Sequence, residues 1–192
     1  MTVIGLIRHG ITDWNIEGKA QGHSDIPLNE QGRQQALRLS ERMKGETWDY
    51  IYASDLGRAL ETANAIGGVI GIEVITDKRL REMNCGLIEG TTEADRVKKW
   101  GYGWSKLELG MESHQDVMTR GMAVLNDISE RHPNKKVLVV SHGALLGRTL
   151  KKLIPHVDTE EHLHNTSITI VKKGDERWDC DLYNCTKHLS VE

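Results

Sequence analysis

Short apolar runs and longer segments of helical spacing alternate along this chain. Six short segments, rich in β-branched or aromatic residues, predict strands. They are Val3–Ile7, Tyr50–Ala53, Glu73–Ile75, Val137–Val140, Ser167–Val171 and Trp178–Tyr183. The last two flank Lys173-Gly174-Asp175, a turn-like sequence that predicts a hairpin.

Apolar residues at helical spacing predict helices between these strands. One begins after Leu28 with Asn29 as its N-cap, and a second carries apolar residues on one face from Ala59 to Ile70. A third starts at Ser113-x-x-Asp116 and stops at Pro133, and a fourth covers Gly143–Ile154. The segment Met83–Gly110 has no sustained period, which predicts a loop with a short helix.

This alternation predicts an α/β fold, a three-layer sandwich with a mainly parallel central sheet flanked by helices. The length of 192 residues fits a single domain over 1–192, and no repeat or linker divides it. The segment at about 87–110 is the one excursion from the regular pattern, and it is a candidate cover for a binding site.

Composition narrows the classes of partner. The formal net charge of −3 argues against binding nucleic acid or an anionic membrane through general attraction. Three cysteines, Cys85, Cys180 and Cys185, lack ligand-like spacing and indicate reduced thiols in a cytoplasm. The N-terminus lacks the features of a signal peptide, and no apolar run approaches the roughly 20 residues that span a bilayer. We therefore expect a soluble, cytoplasmic protein.

Two predicted strands end in unusual residues. "LIRHG" ends with Arg8-His9-Gly10, and "VLVVSHGALLG" ends with Ser141-His142-Gly143 before a helix begins. Ligands of open α/β sheets bind beyond the carboxyl ends of the strands. Gly143 opens a helix whose free N–H groups favour an anion, so this residue is a candidate phosphate ligand. Arg58 lies in the first turn of another helix that follows a strand.

Two arginines and two histidines around one point suit a phosphoryl group. Guanidinium groups bind phosphate oxygens in bidentate fashion, and an imidazole nitrogen can attack phosphorus. Glu82 is the carboxyl group we nominate to protonate the leaving oxygen. Each residue alone has an ordinary alternative: His142 as a core histidine, Arg58 and Glu82 as solvated charges. The histidines of "HLHN", His162 and His164, suggest a metal interpretation, but we expect no metal site in this segment.

The motifs "LIRHGITDWN", "QGHSDIPLNEQGRQQA", "SDLGRALETA", "LREMNCGLIEG", "GMES" and "VVSHGALLG" cover nearly the whole chain. Together they resemble the histidine phosphatase superfamily, also called the phosphoglycerate mutase-like family. The resemblance implies that His9 is the phosphorylated nucleophile and Glu82 the proton donor, with no metal and no cofactor. It also implies a phosphate pocket of Arg8, Arg58 and His142, lined further by Thr12, Asn15, Gln21 and Gly22.

Departures from the family pattern separate two activities. Phosphoglycerate mutases of this family read E-R-x-Y-G after the acid, where this chain reads Glu82-Met83-Asn84-Cys85-Gly86, and their longer arginine-bearing insertion corresponds here to "KKWGYGWSKLELG". The absence of the E-R-x-Y-G motif and of the arginine-bearing insertion favours a phosphomonoester hydrolase of the histidine acid phosphatase type. The alternative is a cofactor-dependent mutase that interconverts 2- and 3-phosphoglycerate, and a third reading is a binding module without turnover.

The expected partner is therefore a small-molecule phosphate ester, whose identity the sequence leaves open. Ile11 replaces the usual glutamate after "RHG", and we expect it to affect packing or substrate contacts only. The aromatic residues Trp100, Tyr102 and Trp104 fit either of two interpretations, a cap over the site or anchors that pack the loop.

Overall fold

A computed structural model of the chain describes residues 1–190, and its centre is one six-stranded sheet with the order β3-β2-β4-β1-β5-β6. The strands are β1 (Thr2–Arg8), β2 (Tyr50–Ala53), β3 (Val74–Thr76), β4 (Lys136–Ser141), β5 (Ile168–Lys173) and β6 (Trp178–Cys185). The four strands from β3 to β1 are mutually parallel, whereas β5 and β6 are antiparallel to their neighbours.

Within residues 1–190, six α-helices accompany the sheet. They are α1 (Asp13–Ile16), α2 (Glu30–Met43), α3 (Gly57–Ile70), α4 (Glu93–Trp100), α5 (His114–Arg131) and α6 (Gly143–Leu153). Side chains of α2 and α3 pack with one face of the sheet, and side chains of α5 and α6 pack with the other. The predicted three-layer α/β sandwich is confirmed.

The central strand β4 shows why the apolar runs are continuous. Val137 and Val139 belong to the core shared with α5 and α6, whereas Leu138 and Val140 belong to the core shared with α2 and α3. Successive side chains of a strand point to opposite faces, so a strand covered on both sides needs apolar residues at every position. All four of these side chains are fully buried.

The predicted elements agree with the structure apart from their ends. Asn29 caps α2 by accepting a hydrogen bond from the N–H of Gly32 at 2.9 Å. Ser113 caps α5 in the same way by accepting from the N–H of Asp116. The terminal hairpin is longer than predicted: β5 continues to Lys173 at the turn, and β6 continues to Cys185 at the open end. The four-residue helix α1 was not predicted, since it is too short to show a period.

Two glycines in helices offer a matched test of packing. A Cβ on Gly121 of α5 would lie 2.0 Å from Oγ1 of Thr149 on α6, whereas a Cβ on Gly68 of α3 has no atom within 4 Å. We expect Gly121→Ala to lower the free energy of unfolding by about 1–3 kcal/mol through overpacking. Gly68→Ala should raise it by about 0.5–1 kcal/mol through helix propensity.

Urea unfolding of both variants measures this difference. Equal stabilisation by the two substitutions would contradict close packing between α5 and α6 at Gly121. Thr149 is held in place because its hydroxyl donates to the carbonyl of Leu145 at 2.7 Å, so its rotation cannot relieve the clash at no cost.

Within residues 1–190, no helix combines the length and the apolar character needed to cross a membrane.

Candidate active site

The carboxyl ends of β1 and β4 lie side by side and place two histidines together. Arg8 is the register partner of Ser141, and the N–H of His9 donates to the carbonyl of Ser141 at 3.0 Å. The rings of His9 and His142 consequently lie 5.2 Å apart, measured between centroids. The sheet register, rather than any local motif, brings these two distant sequence positions into one site.

His9 is almost completely buried, and its hydrogen bonding fixes its tautomer. Nδ1 lies 2.6 Å from the carbonyl oxygen of Gly10, and a carbonyl only accepts, so Nδ1 carries the hydrogen. Nε2 is therefore left with its lone pair. Burial, followed by the positive charges of Arg58 and Arg8, holds the pKa of His9 well below its usual range, which keeps the ring neutral.

Two guanidinium groups flank His9. Arg8 donates through Nη1 to the carbonyl of Leu163 at 2.6 Å, and Arg58 donates to the carbonyls of Ser24 and Gly22 at 2.9 and 2.8 Å. Burial lowers the pKa of both groups and the charge of Glu82 opposes that shift. Guanidinium groups nonetheless remain protonated in proteins, so the site holds two fixed positive charges.

Several buried polar atoms of this site lack a protein partner. Within residues 1–190 they include Nε of Arg8, Nε of Arg58 and Nδ1 of His142. Buried polar groups are nearly always hydrogen-bonded, and an exception calls for an explanation. Two of these atoms belong to cations, so the group that would satisfy them is an anion. This observation favours phosphate binding over the core-histidine and solvated-arginine interpretations.

His142 is fully buried at the N-cap of α6. Its Nε2 lies 2.8 Å from Oγ of Ser54, a residue that the sequence analysis did not single out. Burial lowers the pKa of His142 well below its usual range, and the charges of Arg58 and Arg8 add to this effect. The ring is consequently neutral.

Glu82 lies across the N-terminus of α6. Its carboxylate accepts hydrogen bonds from the N–H groups of Ala144 and Leu145, both at 3.0 Å, and from Met83 at 2.8 Å. Free N–H groups at a helix N-terminus attract anions, which explains this position. Glu82 therefore meets Arg8 and Ala144 at the wall of the cavity beside His9.

A cavity of about 200 Å³ lies in front of His9. Its walls include seven of the residues implied by the family resemblance and four others. The seven are Arg8, His9, Asn15, Gln21, Gly22, Arg58 and Glu82, and the others are Lys19, Ala20, Cys85 and Ala144. Thr12 does not line this cavity, because its side chain is fully buried. It holds two residues that do: its hydroxyl accepts from the N–H of Asn15 and donates to the side-chain oxygen of Gln21 at 2.9 Å.

Gly143 contributes space rather than a side chain. A Cβ at this position would lie 3.1 Å from Nε of Arg8, so only glycine leaves the guanidinium group in place without adjustment. Gly22 is restricted more strongly, because its φ is +52° and a Cβ would lie 2.1 Å from a carboxylate oxygen of Glu89.

Besides Ser54, two further supporting residues were missed by sequence reasoning. Glu89 accepts from the N–H groups of His23 and Ser24, both at 2.9 Å, and so fixes the loop whose carbonyls hold Arg58. Asn165 donates to the carbonyl of His9 at 3.0 Å. Neither has a signal in the sequence, because each acts on residues more than sixty positions away.

The segment 87–110 packs beside the site. Trp100 and Trp104 are partly buried against the cluster of Cys85, Ile88 and Leu109, as expected if they anchor the loop by packing. Tyr102, in contrast, is 92% exposed. The organisation of 1–192 as a single domain, with this segment covering the substrate, stays a prediction.

Neutral buried histidines make stability depend on pH. Their pKa values lie below the value of about 6.5 of the unfolded chain, so acid adds protons mainly to the unfolded state. We therefore expect the free energy of unfolding to fall by about 1 kcal/mol for each of His9 and His142 as the pH is lowered from 6.5 to 5.5. Urea unfolding of His142→Gln over this range should show a correspondingly smaller loss than the natural chain. Identical losses would contradict a neutral His142.

Comparison with known proteins agrees with this geometry. The profile of the histidine phosphatase superfamily (branch 1) matches residues 4–186. The uncharacterized phosphatase PhoE of Bacillus subtilis is 34% identical, with 99% of this chain and 98% of that protein covered. The probable phosphoglycerate mutase GpmB of Cronobacter sakazakii is 35% identical over 93% of this chain and 88% of that protein.

A solved structure shows the same fold. The phosphoserine phosphatase of Entamoeba histolytica, as a mutant in complex with phosphoserine, superimposes with a TM-score of 0.85 at 32% identity, covering 99% of this chain and all of that one. The family match over nearly the full length confirms the resemblance seen in the motifs. The chain belongs to the histidine phosphatase superfamily, branch 1.

Proposed function

We propose that this chain is a phosphomonoester hydrolase of the histidine acid phosphatase type, which acts through a phosphohistidine on His9 with Glu82 as proton donor. The observation that carries this proposal is the free lone pair of His9 Nε2 beside the unpartnered Nε atoms of Arg8 and Arg58. A nucleophile and two cations meet there in one buried site.

The phosphoryl group of the substrate binds first. Its oxygens accept hydrogen bonds from Arg8 and Arg58, and charge-assisted bonds of this kind are roughly twice as strong as neutral ones. Nδ1 of His142 gains a proton as the dianion arrives and becomes a third donor. Asn15 and Gln21 line the same cavity and present amide groups to the bound ester.

In the first chemical step, Nε2 of His9 attacks phosphorus and the bond from phosphorus to the ester oxygen breaks. The departing oxygen takes a proton from Glu82, so an alcohol leaves rather than an alkoxide. Glu82 must therefore carry its proton before this step, and it is a carboxylate afterwards.

In the second step, water attacks the phosphorus of phosphohistidine and Glu82 accepts a proton from it. The bond from nitrogen to phosphorus breaks, inorganic phosphate leaves, and His9 returns to its neutral form. Arg8, Arg58 and His142 stabilise the negative charge in both transition states. We propose that these groups supply the charge stabilisation without a metal ion.

Hydrolysis is favoured over a mutase reaction by the residues next to Glu82. Cys85 occupies the cavity wall, and its thiol, whose pKa burial raises to about 12, supplies no positive charge to hold a substrate acid. Within the part of the chain described, no residue of 87–110 lines either cavity at the site. A mutase needs such anchors to retain its intermediate. The substrate class we propose is a small phosphate ester, as in the relative that was solved with phosphoserine.

The test is phosphate release from a panel of phosphomonoesters in the presence of EDTA, beside a coupled assay for conversion of 3- to 2-phosphoglycerate. We expect release from several esters that survives chelation, and acid-labile labelling of His9 after rapid quenching. Efficient phosphoglycerate conversion without release would establish the mutase instead. Binding of inorganic phosphate without turnover of any ester would establish a binding module.

A further inference from the structure

A larger cavity of about 640 Å³ continues from the phosphate site along α6. Arg8, Glu82 and Ala144 line both cavities, so the two cavities meet beside the proposed proton donor, Glu82. The alcohol part of an ester seated at His9 would leave toward Glu82 and hence toward this space. The far wall carries Arg148 and His114.

Arg148 lies one helical turn beyond Ala144 on the same face of α6, with Cβ atoms of such pairs about 5–6 Å apart. Its Nη2 lies 2.7 Å from Nε2 of His114. Its Nε is buried and has no hydrogen-bond partner among residues 1–190. Arg148 thus resembles Arg8 and Arg58 in holding a buried donor without an acceptor.

The charge of Arg148 is also uncompensated. Among the other charged groups around this cavity, Lys151 contacts Glu160 at 2.9 Å and Glu161 contacts His164 at 2.9 Å. Arg8 and Glu82 belong to the phosphate site. Across the described residues, no carboxylate lies within 4.0 Å of Arg148. Its partner His114 has a pKa lowered by burial and by Arg148 itself, so that ring accepts a hydrogen bond without adding charge.

We propose that Arg148 is the centre of a second anion subsite, which binds a carboxylate on the alcohol part of the phosphate ester. A carboxylate fits better than a second phosphate because one uncompensated cation balances one negative charge, whereas the dianion at His9 has two arginines. Gly147 borders the same space without a side chain, and a Cβ there would meet no atom within 4 Å. This inference rests on the proposed function for the position of the ester.

Phosphonates test the subsite without depending on turnover, because their carbon–phosphorus bond is not an ester. The test ligands form two pairs of an acid and its alkyl partner: 3-phosphonopropionate with propylphosphonate, and 4-phosphonobutyrate with butylphosphonate. Within each pair the ligands differ only by a carboxylate in place of a methyl group. Calorimetric titration of the purified protein gives Kd for all four ligands.

We expect the natural chain to bind at least one acid about tenfold or more tightly than its alkyl partner, the effect of a hydrogen bond to a charged group. Arg148→Met keeps the aliphatic stem and removes the charge, so the preference should fall to within about twofold. Lys152→Met is the matched control, since Lys152 is an exposed cation of the same helix outside both cavities, and it should keep the preference.

No preference in the natural chain, or a preference that survives Arg148→Met with an unchanged circular dichroism spectrum, would overturn the subsite. Absence of binding by all four ligands would overturn it as well. Phosphate release separates the two proposals: a retained acid preference without release from any ester leaves the subsite standing and removes the proposed hydrolase.

Discussion

Replacing His9 with alanine is expected to lower the rate of phosphate release by about 10⁴-fold or more. His9 Nε2 is the proposed nucleophile, and loss of a covalent nucleophile removes the two-step route altogether. The effect should appear in kcat for every ester, whatever its leaving group, because all esters pass through the same phosphohistidine. Labelling of the protein by a radioactive phosphate ester should disappear together with turnover.

Binding of phosphate should survive this substitution. Arg8 and Arg58 do not depend on the imidazole for their positions, since backbone carbonyls of Leu163, Ser24 and Gly22 hold them. Calorimetry with inorganic phosphate checks that the pocket remains. His156→Ala is the matched control, because His156 is a partly exposed histidine outside both cavities, and its loss should leave kcat unchanged. An active His9→Ala protein would eliminate the phosphohistidine mechanism.

Glu82→Gln is expected to slow alkyl phosphates by about 10²- to 10⁴-fold, the usual range for a general acid. An alkyl ester leaves as an alkoxide unless it is protonated, whereas 4-nitrophenolate leaves readily without a proton. We therefore expect a much smaller loss, below about tenfold, in the formation of phosphohistidine from 4-nitrophenyl phosphate. The pre-steady-state burst of 4-nitrophenol isolates this step from the later attack of water.

The measurement is kcat/KM across esters of graded leaving-group pKa, compared between the natural chain and Glu82→Gln. A steeper dependence on the leaving group in the variant identifies the proton donor. Glu130→Gln, at an exposed position near the end of α5, is the control for loss of a carboxylate. Equal and modest losses of kcat/KM for all esters would mean that Glu82 has only a structural role at the start of α6, where it accepts hydrogen bonds from the N–H groups of Ala144 and Leu145.

The sequence by itself predicted the strands, the long helices and five site residues that the structure brings together, Arg8, His9, Arg58, Glu82 and His142. Continuous apolar runs identified β1 and β4 because a strand covered on both faces needs apolar residues at each position. Arg8, His9 and His142 lie at the carboxyl ends of such strands, so their common edge could be inferred from the rule that ligands bind beyond the carboxyl ends of parallel strands. These are local patterns, and local patterns remain visible in a single chain.

Tertiary structure alone decided how the site is assembled and supported. The register between β1 and β4 sets the 5.2 Å between the two rings, and Glu89 and Asn165 hold the loop and backbone around them. The sequence analysis did not single out Arg148, and its buried, unpartnered Nε is visible only in the folded chain. The physical reason is that contacts between residues distant in sequence depend on packing and register, and these leave no period or motif along the chain.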